Sequence, residues 1–202
     1  TASYGKYSES AFEHLPTIGV NHVEIPTPAP DQIEQVKARL AKHGLSASSL
    51  QATIEIESDE VADLLVPTLE AATALNAKIL FVSVKAGEMD KQIVYEHLRR
   101  AGEKAAEYGI TIGMETHPDL ITNADVAIET MEGVDHPNVR VNYDTANIHY
   151  YNQNVDHVEE MKKVINYIGS MHLKDTDGRY KTWCFPTFGE GIVDFKTVFD
   201  LL

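Results

Sequence analysis

The chain has 202 residues, 43% of them hydrophobic and 24% charged, with a formal net charge of −14. That length supports one sizeable core rather than two. So acidic a surface repels phosphate backbones and disfavours nucleic acid as a partner, and no apolar run nears the ~20 residues that a membrane span requires.

The first residues, Thr1-Ala-Ser-Tyr4, carry neither the basic nor the apolar region of a signal peptide. The cytoplasm is therefore the default expectation, with a signal removed by processing left open. Ala2–Tyr4 is a candidate short strand ahead of a helical pattern over Ser8–Leu15. Val20–Ile25 alternates apolar and polar residues and predicts a strand. Pro26-Thr-Pro-Ala-Pro30 breaks the chain, and Asp31 opens a helix whose stripe is Ile33, Val36 and Leu40 and whose stop is Gly44. Leu45–Ile56 contains the next strand. Asp59-Glu60 begins a helix carrying Val61, Leu64, Leu65, Leu69 and Ala72. Lys78–Val84 is β-branched and aromatic, hence a buried strand. Asp90–Tyr108 reads as a long helix ended by Gly109. A strand over Ile110–Glu115, a helix near Thr122–Met131, a strand over Val139–Asp144, a helix near Val155–Tyr167 and a strand over Ile168–His172 follow. A long loop, Lys174–Gly191, leads to Val193–Leu202, where Phe195, Val198, Phe199 and Leu202 have helical spacing.

Six clear strands thus alternate with helices, and no Pro/Gly/Ser-rich linker divides residues 1–202, which predicts a single α/β domain. Right-handed crossovers leave two architectures, an open doubly wound sheet or a closed (β/α)8 barrel. No glycine-rich phosphate loop follows the first strand, so the barrel is preferred. A complete barrel takes ~250 residues. The sequence ends on a helix before an eighth βα unit, which predicts either an incomplete C-terminus or an open barrel. An open barrel exposes strand edges that a partner chain or an exchanged domain would cover, so a homo-oligomer stays open.

Three predicted strands end in metal-binding residues about 30 positions apart: Glu115, Asp144 and His172. In a parallel barrel the C-terminal strand ends share one face, so these side chains should converge there. Two carboxylates and one imidazole suit Mn²⁺, Co²⁺ or Zn²⁺ better than Ca²⁺. The plainer alternatives are a salt bridge for Glu115, capping of the next helix through Asn147 for Asp144, and a satisfied core position for His172. Lys174 is placed to neutralise a developing oxyanion or to pair with Asp175, and His117 to contact substrate or support the ligands. Glu24 and His22 share one side of their strand and are candidates for sugar contacts, as against a structural ion pair and core packing. His149, Tyr150 and Tyr151 are candidates for a sugar-stacking wall, and so are Arg179, Lys181, Trp183 and Phe188 in the long loop, with surface or subunit packing as the alternative. His14, His43, His97, His136 and His157 read as solvated helix residues. Cys184, the single cysteine, excludes an internal disulfide and has no partner motif of a nucleophile.

Four segments, Gly113-Met-Glu-Thr-His117, Tyr143-Asp-Thr-Ala-Asn147, Met171-His-Leu-Lys-Asp175 and Gly189-Glu-Gly-Ile-Val-Asp194, resemble the xylose-isomerase-like TIM barrel superfamily, in its sugar phosphate isomerase/epimerase branch. The resemblance covers essentially the whole chain in order. It implies a divalent metal (Mn²⁺, Mg²⁺, Co²⁺ or Zn²⁺) held by a strand-five Glu, a strand-six Asp, a strand-seven His and a strand-eight Glu. The first three correspond to Glu115, Asp144 and His172; the sequence ends before a fourth. It further implies that Glu115 is the base. The chain departs from the ketose 3-epimerase pattern twice: Ile121 stands where a second acid is expected, and Asn147 where a histidine is common.

The leading functional expectation is a metal-dependent sugar isomerase or epimerase that abstracts a proton α to a carbonyl, with Asn147 among the substrate contacts. A dehydratase or lyase acting on a keto-sugar or inosose shares that first step. An abasic-site endonuclease of the same superfamily is disfavoured by the net charge of −14. A binding or assembly subunit is the non-enzymatic alternative.

Overall fold

The computed structural model describes residues 2–202. Six parallel strands form one sheet in strictly sequential order: β1 (His22–Pro26), β2 (Ser46–Gln51), β3 (Ile79–Val82), β4 (Thr111–Glu115), β5 (Val139–Asp144) and β6 (Ile168–His172). A doubly wound sheet would reverse its strand order at a switch point. Unbroken sequential order with helical crossovers is instead the wall of a (β/α) barrel, here over six strands. The wall curves enough for its two edge strands to touch: His172 on β6 reaches Glu24 on β1, 3.3 Å from Nε2 to Oε1.

The helices are α1 (Ser8–Thr17), α2 (Ile33–Lys42), α3 (Val61–Ala74), α4 (Lys91–Glu107), α5 (Ala124–Val134), α6 (Asn147–Tyr151), α7 (His157–Val164) and α8 (Phe195–Leu201). Their starts follow local chemistry. Asp90 accepts from the Gln92 amide at the head of α4, Asn123 from that of Val126 at α5, and Asp156 from those of Val158 and Glu159 at α7. Gly44 and Gly109 sit at φ 65 just past α2 and α4, the left-handed position that ends a helix. Leu80, Ile112, Met114, Val141 and Tyr143 of the sheet join Leu69, Leu98, Ala105, Met131 and Val134 of the helices in one buried core. No helix among the described residues is long and apolar enough to cross a membrane.

Several expectations need correction. Ala2–Tyr7 is a 3-10 helix, not a strand. Gly5 turns the backbone to φ 51, and the Tyr4 hydroxyl bonds His14 Nδ1 at 2.6 Å, tying the segment back onto α1 rather than along a sheet edge. The Val155–Tyr167 pattern divides into α7 and a 3-10 turn over Ile165–Tyr167. His97 and His157 are buried, not solvated. His97 Nδ1 meets the Ile56 carbonyl at 2.7 Å, and a carbonyl deep in a loop is a partner that helix periodicity does not reveal.

Alternation along the strands places Gly113 and Glu115, Asn142 and Asp144, and Ser170 and His172 toward the barrel axis. Ser170 Oγ donates to Asn142 Oδ1 at 2.7 Å, and a Cβ on Gly113 would lie 2.8 Å from Ser170 Oγ. Glycine at this position therefore leaves room for a polar layer directly beneath the strand ends. The register then aligns the ends themselves, with Asp144 opposite His172 and Glu115 opposite Asn142.

Candidate metal centre

Glu115, Asp144 and His172 each close a strand, and each offers a ligand atom within 4.8 Å of the others. Asp144 has no exposed surface. Its Oδ1 accepts from the amides of Ala146 and Asn147, both at 2.9 Å. Its Oδ2 is buried without a properly angled hydrogen bond, although the Lys174 ammonium stands 2.6 Å away. That oxygen therefore calls for positive charge and is only partly supplied by the lysine. Asn147 Nδ2 donates to Glu115 Oε1 at 3.2 Å and to the Thr116 carbonyl at 3.1 Å, so one amide aims the Glu115 carboxylate.

His172 is held on two sides. Its ring packs on Phe81 with centroids 4.4 Å apart. Nε2 lies 3.3 and 3.4 Å from the two oxygens of Glu24. Nδ1 faces Asp144 Oδ2 at 3.9 Å, too far for a hydrogen bond and within the ~4.2 Å that two metal–ligand bonds of ~2.1 Å can span. An under-satisfied buried carboxylate oxygen, a second aimed carboxylate and an imidazole nitrogen turned the same way fit a divalent cation.

Lys174 is fixed at its backbone. Thr145 Oγ1 donates to the Lys174 carbonyl at 2.7 Å and accepts from its amide at 2.9 Å. Glu24 is engaged by Ser49 Oγ at 2.8 Å and Gln51 Nε2 at 3.1 Å as well as by His172. Burial pushes its carboxyl up, but these three partners outweigh that and hold it below the usual carboxylate range. His117 bonds the Pro118 carbonyl through Nδ1 at 2.7 Å and packs edge-on against Tyr151, centroids 4.9 Å apart. Burial, and then the Glu115 carboxylate, raise the Tyr151 phenol above its ordinary value. From Tyr151 a run of edge-to-face rings continues through Tyr150, Trp183 and Phe185 at 4.9, 5.9 and 4.7 Å. It returns to Lys174, whose ammonium lies 5.9 Å from the Phe185 ring. Trp183 is 77% exposed.

Other expected site residues are not brought to this cluster. His22 stands at the start of β1, where Nδ1 bonds Ser46 Oγ at 2.8 Å. It lines an open cleft of about 410 Å³ that Glu24 and His172 also border. Arg179 pairs with Asp177 at 2.6 Å. Phe188 packs on Phe195, 4.8 Å between centroids. His149 is buried and faces His157, 3.1 Å from Nε2 to Nδ1, while His157 Nε2 accepts from the Asp194 amide at 2.9 Å. This pair ties α6, α7 and the start of α8 together. Burial lowers both histidines below 6.5, so both stay neutral in the fold while the unfolded chain takes up protons. The pair's contribution is full above about pH 6.5 and is lost as pH falls from there through the lowered folded values. Urea unfolding across that window should show the loss, and His157→Gln should flatten it.

Sequence reasoning did not single out Phe81, Thr116, Thr145 or Phe185, whose residue types carry no chemical signal. It also left Asp175 as a mere partner for Lys174. Asp175 is 1% exposed and accepts from four backbone amides, those of Thr176, Val193, Gly189 and Gly191, at 2.8–3.1 Å. Burial raises its carboxyl, and the four donors more than offset this and hold it low. A Cβ on Gly191 would collide with the Asp175 carboxylate and the Thr176 carbonyl. The readable signal was an Asp followed by Gly-Glu-Gly 14 residues on.

Comparison with known proteins agrees with this architecture. The family described as "Xylose isomerase-like TIM barrel" matches residues 12–202. An inosose dehydratase of Geobacillus thermodenitrificans is 26% identical over 231 residues, spanning 96% of this chain and 77% of that protein. Among solved structures, a probable 3-DHS dehydratase from Bacillus anthracis superposes with a TM-score of 0.78 at 17% identity, covering 96% of this chain and 82% of that one. An L-ribulose 3-epimerase superposes with a TM-score of 0.74 at 19% identity, covering 96% and 70%. At these identities the two structures speak for the fold alone.

Proposed function

Because this chain belongs to the xylose isomerase-like TIM barrel family, we propose that it binds one divalent cation through Glu115, Asp144 and His172 and removes a proton α to the carbonyl of a polyhydroxylated ketone. The observation that carries this reading is the convergence of the three ligand atoms within 4.8 Å at adjacent strand ends. A divalent cation there supplies positive charge against the negative charge that develops on a carbonyl oxygen. Glu115, aimed by Asn147, takes the proton. Lys174, whose ammonium lies 2.6 Å from Asp144 Oδ2, is the available proton donor.

Loss of a β-hydroxyl is the outcome the residues favour. The Glu115 carboxylate takes the α-proton, the freed electron pair forms the carbon–carbon double bond, and the β carbon–oxygen bond breaks. Lys174 protonates the leaving hydroxide, which departs as water. Elimination needs one base and one acid. Epimerisation needs a second group to return the proton to the opposite face, and Ile121, 2% exposed, occupies the position where the resemblance places a second acid. The inosose dehydratase relative adds support for a cyclic polyol ketone as substrate.

Mass spectrometry of an inosose or ketose incubated with the Mn²⁺-loaded chain separates the outcomes. A product lighter by one water supports elimination. An isomer of unchanged mass supports an isomerase or epimerase, and neither product moves the weight to a binding role.

Two further results are expected. The rings of Tyr151, Tyr150, Trp183 and Phe185 offer an apolar platform for the C–H face of a sugar. Trp183 is the sole tryptophan, so its fluorescence should shift to the blue on substrate addition; an unchanged spectrum at saturating ligand would remove the platform. Lys174→Met should raise cation affinity, because it deletes a positive charge 2.6 Å from Asp144 Oδ2, while turnover falls. Titration calorimetry and an activity assay on the same sample check for these opposite signs.

A further inference from the structure

Glu24 lies 148 residues before His172 on the far edge of the sheet, yet its carboxylate faces the His172 ring. A carboxylate only accepts hydrogen bonds, so the ring nitrogen beside it must carry the hydrogen. That nitrogen is Nε2, shared between the two Glu24 oxygens at 3.3 and 3.4 Å. Three further contacts make the arrangement specific. Ser49 Oγ donates to Glu24 Oε2 at 2.8 Å, Gln51 Nε2 donates to Oε1 at 3.1 Å, and Phe81 packs against the imidazole. The side of the ring left over is Nδ1, which points at the buried Asp144 Oδ2 from 3.9 Å.

We infer that Glu24 is a positioning residue: it takes the Nε2 hydrogen of His172 and so presents the Nδ1 lone pair to the cation site. β1 and β2 then contribute to the site indirectly, through Glu24 and its supports Ser49 and Gln51, although neither strand contributes a ligand. A metal-bound imidazole whose other nitrogen is hydrogen-bonded is fixed in both tautomer and ring angle. The inference rests on the reading of His172 as a ligand.

The test is nitrogen-15 NMR of histidine-labelled full chain, first without metal and then with Cd²⁺. The His172 signals are assigned by their disappearance in His172→Gln. The expected result is the Nε2–H tautomer before metal, and a Cd²⁺-induced shift at Nδ1 alone. Glu24→Gln keeps the size of the side chain but brings an amide that can also donate. The tautomer should then become mixed and Cd²⁺ affinity should fall roughly 10–100-fold. Ser49→Ala, which loosens Glu24 without touching His172, should produce a smaller fall in affinity with the Nε2–H tautomer still in the majority. A merely structural Glu24 would leave the tautomer unchanged in both variants. An Nδ1–H tautomer in the unaltered chain, Cd²⁺ bound through Nε2, or an unchanged tautomer in a folded Glu24→Gln would each overturn the inference. If Glu24→Gln does not fold, the tautomer of the unaltered chain and the Ser49→Ala titration still decide. An Nε2–H tautomer in a chain that binds no Cd²⁺ would instead count against the cation site and spare the role of Glu24 in holding the ring.

Discussion

Glu115→Gln is expected to slow the release of deuterium from a substrate labelled at the carbon next to its carbonyl by ~10²–10⁴, the contribution of a well-placed general base. The variant keeps the length and planarity of the side chain and retains an oxygen that Asn147 Nδ2 can reach. It deletes the base and one negative charge. Release of that label to solvent reads the proton-abstraction step itself, for an elimination as for an epimerisation, so the result does not depend on which product follows. Weaker cation binding will contribute to the loss. The measurement therefore belongs at saturating Mn²⁺, with occupancy verified on the same sample. Undiminished release of the label by a metal-loaded Glu115→Gln would remove Glu115 as the base. Interconversion of aldose and ketose without solvent label would point to hydride transfer.

The second large effect is structural. Asp175→Ala should destabilise the chain by ~4 kcal/mol, about 1 kcal/mol for each backbone donor left without its acceptor. The donors come from both ends of the Lys174–Gly191 loop, so the loop that carries Trp183 and Phe185 would lose its closure first. Asp175→Asn is not a mild alternative, because two amides that now meet an oxygen would meet an NH₂ group. Urea unfolding measures the total, and proteolysis within the loop should precede global unfolding. The same carboxylate predicts an acid limit. Its folded value lies below 3.8, so its contribution is complete above the unfolded value and is lost as pH falls through the folded one. Stability of Asp175→Ala within experimental error of the unaltered chain would contradict this account of the loop.

The strands were legible because apolar runs punctuated by helix stops have few other solutions. The convergence of Glu115, Asp144 and His172 was legible because a parallel wall puts every strand end on one face. What escaped the sequence was mostly long-range or ambiguous in period. Glu24 meets His172 only because the sheet curves, which no local pattern encodes. The sequence offers His149 as a candidate for a sugar-stacking wall or for surface packing; α6 turns it inward onto His157. Arg179 and Asp177 satisfy each other two residues apart, a local pairing that competes with any substrate role. Ala2–Tyr4 had strand-like composition, but Gly5 redirects the backbone. Asp175 was visible as a residue but not as an acceptor for four amides, because the trace they leave in the sequence is only the Gly-Glu-Gly 14 residues on.

The central claim is that Glu115, Asp144 and His172 hold one divalent cation, and Mn²⁺ titration of the chelator-treated chain, followed by electron paramagnetic resonance of the free ion, tests it most directly. The account predicts one Mn²⁺ per chain, with affinity reduced at least ~10-fold in Asp144→Asn and in His172→Gln and unchanged in His22→Gln. No bound Mn²⁺, or equal affinity in the unaltered chain and a folded Asp144→Asn, would contradict it.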